Sequence, residues 1–354
     1  MEFINETYLT FDNNFNEKIN ISNNITHLTF GDKFNQKIKL PNNLTHLTFG
    51  DKFDQKIKLP KTLIYLNLGN EYSHKLRFPK GLKHLFLCNE FNEDNKLPKN
   101  LTHLTFNRYI NRYYKIPENL IYLKFGHHFN LKYIELPKNL KQLIFGNRFN
   151  QQIDLPKQLT HLTFGVDFNQ KIDLPKTLTH LTFGLEFNQE IDLPENLTYL
   201  KFSDDFNQKI KLPNNLTNII FSWCFNQKID LPNNLTHLTL GYIFNQNINL
   251  PSSLKELTLN CENNIVDNLP DNIEVLYLDE MFNRKIDNLP SALKKLIIMN
   301  NNFEHDLNCL PQSLEYLELP VKYNKPIVTQ YNNLIVKCNG NYKYKDLLKV
   351  KEIK

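Results

Sequence analysis

The chain has 354 residues, with 42 Lys and Arg against 37 Asp and Glu for a formal net charge of +5, and 41% of its residues are hydrophobic. That apolar share excludes a disordered polar tract, and the mild positive excess does not by itself require a nucleic-acid partner. No stretch approaches the ~18–20 consecutive apolar residues of a membrane span.

In chain order, Leu9, Phe11 and Phe15 form a partial unit, and from Ile21 a pattern L-P-x-x-L-x-x-L-x-F-G-x-x-F-N-x-x-I-x repeats. Units start at Ile21, Leu40, Leu59, Phe78, Leu97 and Ile116, each 19 residues apart. A one-residue insertion near Tyr133 moves the next start to Leu136, and the 19-residue spacing resumes through Leu155, Leu174, Leu193, Leu212, Leu231, Leu250 and Leu269. The last full units begin at Leu289 and Leu310. Within each unit, LTHLTF or its equivalent alternates apolar and polar residues, the period of a half-buried strand. A short irregular or 3₁₀ segment follows, carrying residues such as Phe53 and Ile57, and Pro41 and its equivalents reset the chain for the next strand. One such coil cannot bury its own apolar side, so the prediction is a solenoid of about 17 coils with a parallel β-sheet on one face and short irregular or 3₁₀ segments on the other. The array is expected over residues 1–319, with its first coil partial. From about Pro320 the period fades, and Leu334–Val336 and Tyr342–Tyr344 around Asn339-Gly340 predict a hairpin in a C-terminal cap over residues 320–354. The N-terminal partial coil shows no such cap, which predicts an exposed sheet edge open to oligomerisation.

Three repeated positions invite specific expectations. Eight of the ten glycines, Gly31 and Gly50 among them, share one unit position, which points to a turn with an unusual backbone angle. Asn35, Asn130, Asn150, Asn169, Asn188, Asn207, Asn226 and Asn245 each follow a core Phe and are expected to form a ladder of amides that satisfies backbone groups of adjacent coils. Seven N-x-T sequons, such as Asn43-Leu44-Thr45, read as one repeat position copied many times. The opening MEFINETYLTFDNNFNEKIN has no charged n-region followed by an apolar run, hence no signal peptide is expected. Cys88, Cys224, Cys261, Cys309 and Cys338 contain no C-x-x-C pair and read as thiols of a reducing, cytoplasmic compartment.

At FNQKIDLP (residues 168–175 and 225–232) and FNQKIKLP (206–213) the chain resembles the FNIP repeat family, which is found mainly in social amoebae and giant viruses that infect amoebae. The resemblance covers nearly the whole chain and implies a leucine-rich-repeat-like fold, and host cytoplasm as the location if the source is viral. Some similar proteins carry an N-terminal F-box. Here the repeats start within ten residues, so the resemblance implies a substrate-recognition arm for a ubiquitin ligase only if the ligase is recruited in trans.

The strongest site candidate is the outward column beside the core leucines: His27, His46, Tyr65, His84, His103, Tyr122, His161, His180, Tyr199 and His237. Imidazole and phenol rings offer rigid contact area with donors and acceptors, which suits a protein partner on the sheet face. Adjacent histidines lie one strand apart, but zinc wants at least three ligands, and Thr and Lys rather than Asp, Glu or Cys share the face, so no metal is expected. No P-loop, G-x-G-x-x-G, H-E-x-x-H or G-x-S-x-G occurs, and identical coils supply no obvious cleft; neither an enzyme nor a cofactor is expected. Charge marks a second column. Lys39, Lys58, Arg77, Lys96 and Lys115 give way to Glu135, Asp154, Asp173 and Asp192. This basic edge could take an acidic partner, and the absence of interleaved aromatics argues against nucleic acid.

Overall fold

A computed structural model describes residues 2–5, 7–87, 96–107, 109, 113–260, 264–327, 334–338 and 342–343. It divides into two compact units, Met1–Leu178 and Thr179–Lys354. Unit 1 holds β1 (Glu2–Asn5), β2 (Tyr8–Thr10), β3 (His27–Thr29), β4 (His46–Thr48), β5 (Tyr65–Asn67), β6 (His84–Leu87), β7 (His103–Phe106), β8 (Tyr122–Lys124), β9 (Gln142–Ile144) and β10 (His161–Thr163). Unit 2 holds β11 (His180–Thr182), β12 (Tyr199–Lys201), β13 (Asn218–Ile220), β14 (His237–Leu240), β15 (Glu256–Leu259), β16 (Val275–Leu278), β17 (Lys295–Ile298), β18 (Tyr316–Glu318) and β19 (Ile335–Lys337).

Within each unit the strands pair in parallel, and identical unit positions face one another. His27 sits beside His46 and Leu28 beside Leu47 in unit 1; His180 sits beside Tyr199 and Leu181 beside Leu200 in unit 2. The strands are short because the repeat allows only an H-L-T-sized segment before the chain must turn. Each turn is closed at the Leu-Pro step, where the N–H of Leu44 donates to the Pro41 carbonyl at 3.4 Å and that of Leu159 to the Pro156 carbonyl at 3.1 Å. Across from the strands the chain is irregular, as expected, and the one 3₁₀ turn among the described residues is Asn264–Asn268.

Behind the sheet, leucine and phenylalanine columns stack from coil to coil. Leu44, Leu47, Phe49 and Phe53 are at most 1% exposed. Phe49 and Phe53 of one coil stack with centroids 3.6 Å apart, and Phe34 and Phe53 of neighbouring coils lie 5.9 Å apart with nearly parallel planes. At the Ile57 position, Ile57 itself is half-buried, whereas its equivalents Leu76, Ile286 and Leu307 are buried.

The asparagine ladder is present. The Asn169 N–H donates to Asn150 Oδ1, the Asn207 N–H to Asn188 Oδ1 and the Asn226 N–H to Asn207 Oδ1, each at 3.0 Å. The glutamine one position on shares the same acceptor, as Gln170 Nε2 does with Asn150 Oδ1 at 2.9 Å. Sequon positions serve the same end: Asn43 Nδ2 donates to the Asn23 carbonyl at 3.1 Å and Thr45 Oγ1 to the Thr26 carbonyl at 3.0 Å.

Two expectations are corrected. Among the described glycines only Gly69 has a positive φ, 72°. Gly50 is instead required by proximity, because a Cβ there would run into the Gly31 carbonyl of the preceding coil. The repeated glycine is thus a close-approach position. The N-terminal edge of β2 is also covered, since β1 pairs with it antiparallel, Phe3 against Leu9, with an irregularity before Asn5. At the other end, β19 adds to β18 in parallel, so the strand expected at Leu334–Val336 continues the sheet as Ile335–Lys337; Asn339-Gly340 and Tyr344 lie outside the described residues.

Candidate functional site

The outward column of unit 1 is a stack of rings. Each ring projects from the first residue of a strand whose second residue is a core leucine, so burial of the leucine fixes the ring on the opposite face. Tyr8 and His27 stack at 4.0 Å between centroids, His27 and His46 at 4.2 Å, and His84 and His103 at 4.2 Å. His46–Tyr65 and His103–Tyr122 are looser, at 5.7 and 5.6 Å. His27, His46, Tyr65, His84, His103, Tyr122 and His161 are all half-buried. In unit 2, His180 and Tyr199 stack at 5.8 Å, while His180 and His237 are exposed.

A threonine anchors Nδ1 of the histidine that follows it. Thr45 Oγ1 gives its single proton to the Thr26 carbonyl at 3.0 Å, and it also lies 2.9 Å from His46 Nδ1. A hydroxyl that donates to the carbonyl can accept from Nδ1–H, the arrangement in which both contacts are hydrogen bonds and Nε2 keeps its lone pair. The same pair of bonds recurs at Thr26 with His27, Thr102 with His103, Thr160 with His161 and Thr236 with His237. His84 follows Lys83 instead and lacks this constraint. Partial burial pushes the pKa of His27 and His84 below the usual imidazole value. Burial does the same at His46, aided by the neighbouring His27 and His84, and at His103, aided by His84. Neutral rings therefore line the face of unit 1 at pH 7, each able to accept a hydrogen bond.

Beside this column, the strand ends of unit 1 border an open groove of ≈ 900 Å³ lined in part by Thr29, Thr48, Thr105 and Thr163, where identical coils had promised no cleft. Sequence reasoning also passed over Thr26, Thr45 and Thr102, although they recur as regularly as the histidines.

The basic edge stands apart from this face. Lys39, Lys58, Arg77, Lys96 and Lys115 are all exposed, and none forms an ion pair with a described residue. Among the described residues, no group of three His, Cys, Asp or Glu is placed to hold a metal. None of their helices is long and apolar enough to cross a membrane.

The model of the FNIP Repeat matches residues 15–52, 34–71, 114–148, 149–186, 187–224, 225–262, 263–301 and 282–322. The chain belongs to the FNIP repeat family. Among solved structures, this FNIP chain is similar to CroV588, described as a novel circular LRR protein structure, at 37% identity and a TM-score of 0.61 over 95% of this chain. It spans 63% of the length of CroV588. It is similar in fold to YopM from Yersinia enterocolitica WA-314, at 20% identity and a TM-score of 0.55, with 98% of this chain and 79% of that one covered. Among curated proteins none matches the FNIP chain. Both structural neighbours place its short parallel strands among leucine-rich-repeat-like solenoids.

Proposed function

We propose that the protein is a non-enzymatic scaffold that binds another protein along its parallel-sheet face, through His27, His46, Tyr65, His84, His103 and Tyr122. His161 in unit 1, and His180, Tyr199 and His237 in unit 2, offer the same chemistry to the same class of partner. The observation that carries this reading is the anchored, stacked rings. Nδ1 of His27, His46 and His103 is tied to a threonine, and Nε2 has no partner among the described residues. Rings held by stacking and a hydrogen bond lose little freedom on binding, which is where preorganised surfaces gain affinity. The fitting partner is an extended segment rich in N–H and O–H donors. The leucine-rich-repeat-like fold is typical of such scaffolds.

The test is affinity capture with wild type and with a variant in which His27, His46, His84 and His103 are changed to Ser, both checked for the same unfolding midpoint. A partner captured by wild type and lost with the variant is the expected result; equal capture by both would move the site off this face. A second reading has one observation in its favour: five exposed cations in a row, without an ion pair among the described residues, could hold an acidic partner or RNA. Polynucleotide binding whose affinity falls steeply with salt would support it. No observation favours the ubiquitin-ligase arm over a general scaffold.

A further inference from the structure

The basic edge of unit 1 does not end in neutral surface. Going coil by coil, the column reads Lys39, Lys58, Arg77, Lys96, Lys115, and then Glu135, Asp154 and Asp173, all exposed and all at the position just before the Leu-Pro step. The sign reverses between two adjacent coils, those of Lys115 and Glu135. At that point the neighbouring outward column changes character too. Lys18, Lys37, Lys56 and Lys75 occupy it in the early coils, whereas Tyr113 and Tyr133 occupy it on either side of the reversal. Those two tyrosines are 65% and 67% exposed, the largest values among the described aromatic residues, and the ring of Tyr133 carries only the Lys132 ammonium, 5.4 Å from its centre. Between the same two coils lies a cleft of ≈ 390 Å³, with Tyr113, Tyr133, Phe106 and Phe129 among its apolar lining and Lys115, Glu118 and Glu135 as its charged lining.

We infer that this edge is the interface of a two-fold dimer with a second copy of the chain. A column that runs from positive to negative is complementary to itself when reversed. A two-fold axis lying across the column between Lys115 and Glu135 sets Lys115 against Glu135 of the second copy, Lys96 against its Asp154, and Arg77 against its Asp173. The symmetry makes each pairing occur twice. The same axis brings Tyr113 of one copy over Tyr133 of the other, and the cleft to the centre. Aromatic anchors in a central apolar pocket, ringed by charge pairs, are the anatomy of specific interfaces, with the aromatics supplying most of the affinity and the charges fixing the register. An acidic polymer would satisfy only the positive half and would leave Glu135, Asp154 and Asp173 facing like charge. A second copy satisfies both halves. One pairing runs the other way, since Lys171 falls opposite Lys75 of the second copy, and it must be accommodated by the length of the two side chains.

The test is sedimentation equilibrium of the full chain at micromolar concentration in ~50 mM and ~500 mM salt, a range over which the screening length shrinks from beyond the pair distances to within them. Wild type is expected to dimerise in low salt and to weaken in high salt. Glu135→Lys with Asp154→Lys makes the column predominantly basic, and Lys96→Glu with Lys115→Glu makes it predominantly acidic. Each variant alone is expected to be monomeric, and an equimolar mixture of the two to restore a heterodimer. Tyr113→Ser with Tyr133→Ser is expected to raise the dimer Kd at least ~10-fold. All these side chains are exposed, and an unchanged unfolding midpoint verifies the fold of each variant. A wild-type monomer in low salt overturns the inference. So does a dimer that survives both charge reversals, or a mixture of folded variants that fails to associate.

Discussion

The sheet faces of unit 1 and unit 2 share one backbone register and end in opposite chemistry. From β2 to β8 the outward column is rings, stacked on one another and largely uncharged. From β14 to β19 the same column reads His237, Glu256, Val275, Lys295, Tyr316 and Ile335. There the charges are matched inside the face: Glu274 lies 3.1 Å from Lys255 and 2.7 Å from Lys294, and Lys337 lies 2.7 Å from Glu318. The Lys295 ammonium sits 5.3 Å from the ring centre of Tyr277 and 5.4 Å from that of Tyr316. The difference teaches that the coil is held from behind and at its turns, leaving the outward columns to vary. A face whose charges pair with one another has little left to offer a partner, whereas the face of unit 1 keeps unspent acceptors.

If the scaffold is common to both units, removing a core ring should cost the same in each. Phe53 in unit 1 and Phe225 in unit 2 are 0% and 1% exposed. Changing either to Ala is expected to cost ~3–5 kcal/mol, read from urea unfolding followed by hydrogen exchange in the affected coils. A cost confined to one unit would break the comparison at its root.

The ladder is the next largest shared element. Asn35 Oδ1 accepts from the Asp54 N–H at 3.0 Å and from Gln55 Nε2 at 2.9 Å; Asn207 Oδ1 accepts from the Asn226 N–H at 3.0 Å and from Gln227 Nε2 at 3.1 Å. Asn35→Ala strands two donors and Asn207→Ala one, the Asn226 amide, since Gln227 Nε2 keeps the Asn207 carbonyl at 3.1 Å; each should cost ~1–3 kcal/mol, with Asn35→Ala the larger. Exchange of the Asp54 and Asn226 amides would report the loss directly.

These shared elements were legible in the sequence because each recurs every coil for a reason of packing. The alternation around Leu47 and Phe49 gives the strand, and the asparagine after each core Phe gives the ladder. Glycine was located correctly and explained wrongly: the sequence marks where a side chain is excluded, but Gly50 is excluded by the neighbouring Gly31 carbonyl, a contact between coils that no single unit reveals. The same limit hid the histidine anchor. Thr45 and His46 are adjacent in sequence, yet the carbonyl that commits the hydroxyl belongs to Thr26, one coil away. The groove of unit 1 and the cleft at Tyr113 and Tyr133 depend on how coils meet, and a repeat pattern describes coils one at a time.

Acid should separate the two faces. In unit 1 the folded-state pKa values of His27, His46, His84 and His103 are lowered, chiefly by burial. The unfolded chain therefore takes up protons first, at about pH 6.5, and the stability these neutral rings contribute is complete above that pH and is lost as pH falls through the lower folded values. In unit 2, hydrogen bonds from Lys294 and Lys255 lower the pKa of Glu274, so its contribution holds until pH drops below the ordinary glutamate range. Unfolding followed separately in each unit should show unit 1 weakening first on acidification. Partner binding on the ring face should fail over the same interval, since protonation turns each Nε2 from an acceptor into a donor.

The smallest effect belongs to the paired lattice itself. Lys294→Ala removes one of the two cations on Glu274 and leaves Lys255 in place. The groups are solvent-exposed, where attraction is screened and two long side chains must be held still, so the unfolding midpoint should not move measurably. The Glu274 carboxyl should nevertheless titrate higher, toward the ordinary glutamate value, because Lys294 is the leading cause of its depression. A carboxyl that moves while the midpoint stays would mean that the charges of unit 2 answer one another without holding the fold. A midpoint that drops with it would make the outward column part of the scaffold after all, and the freedom assigned to the ring face of unit 1 would have to be argued again from its own variants.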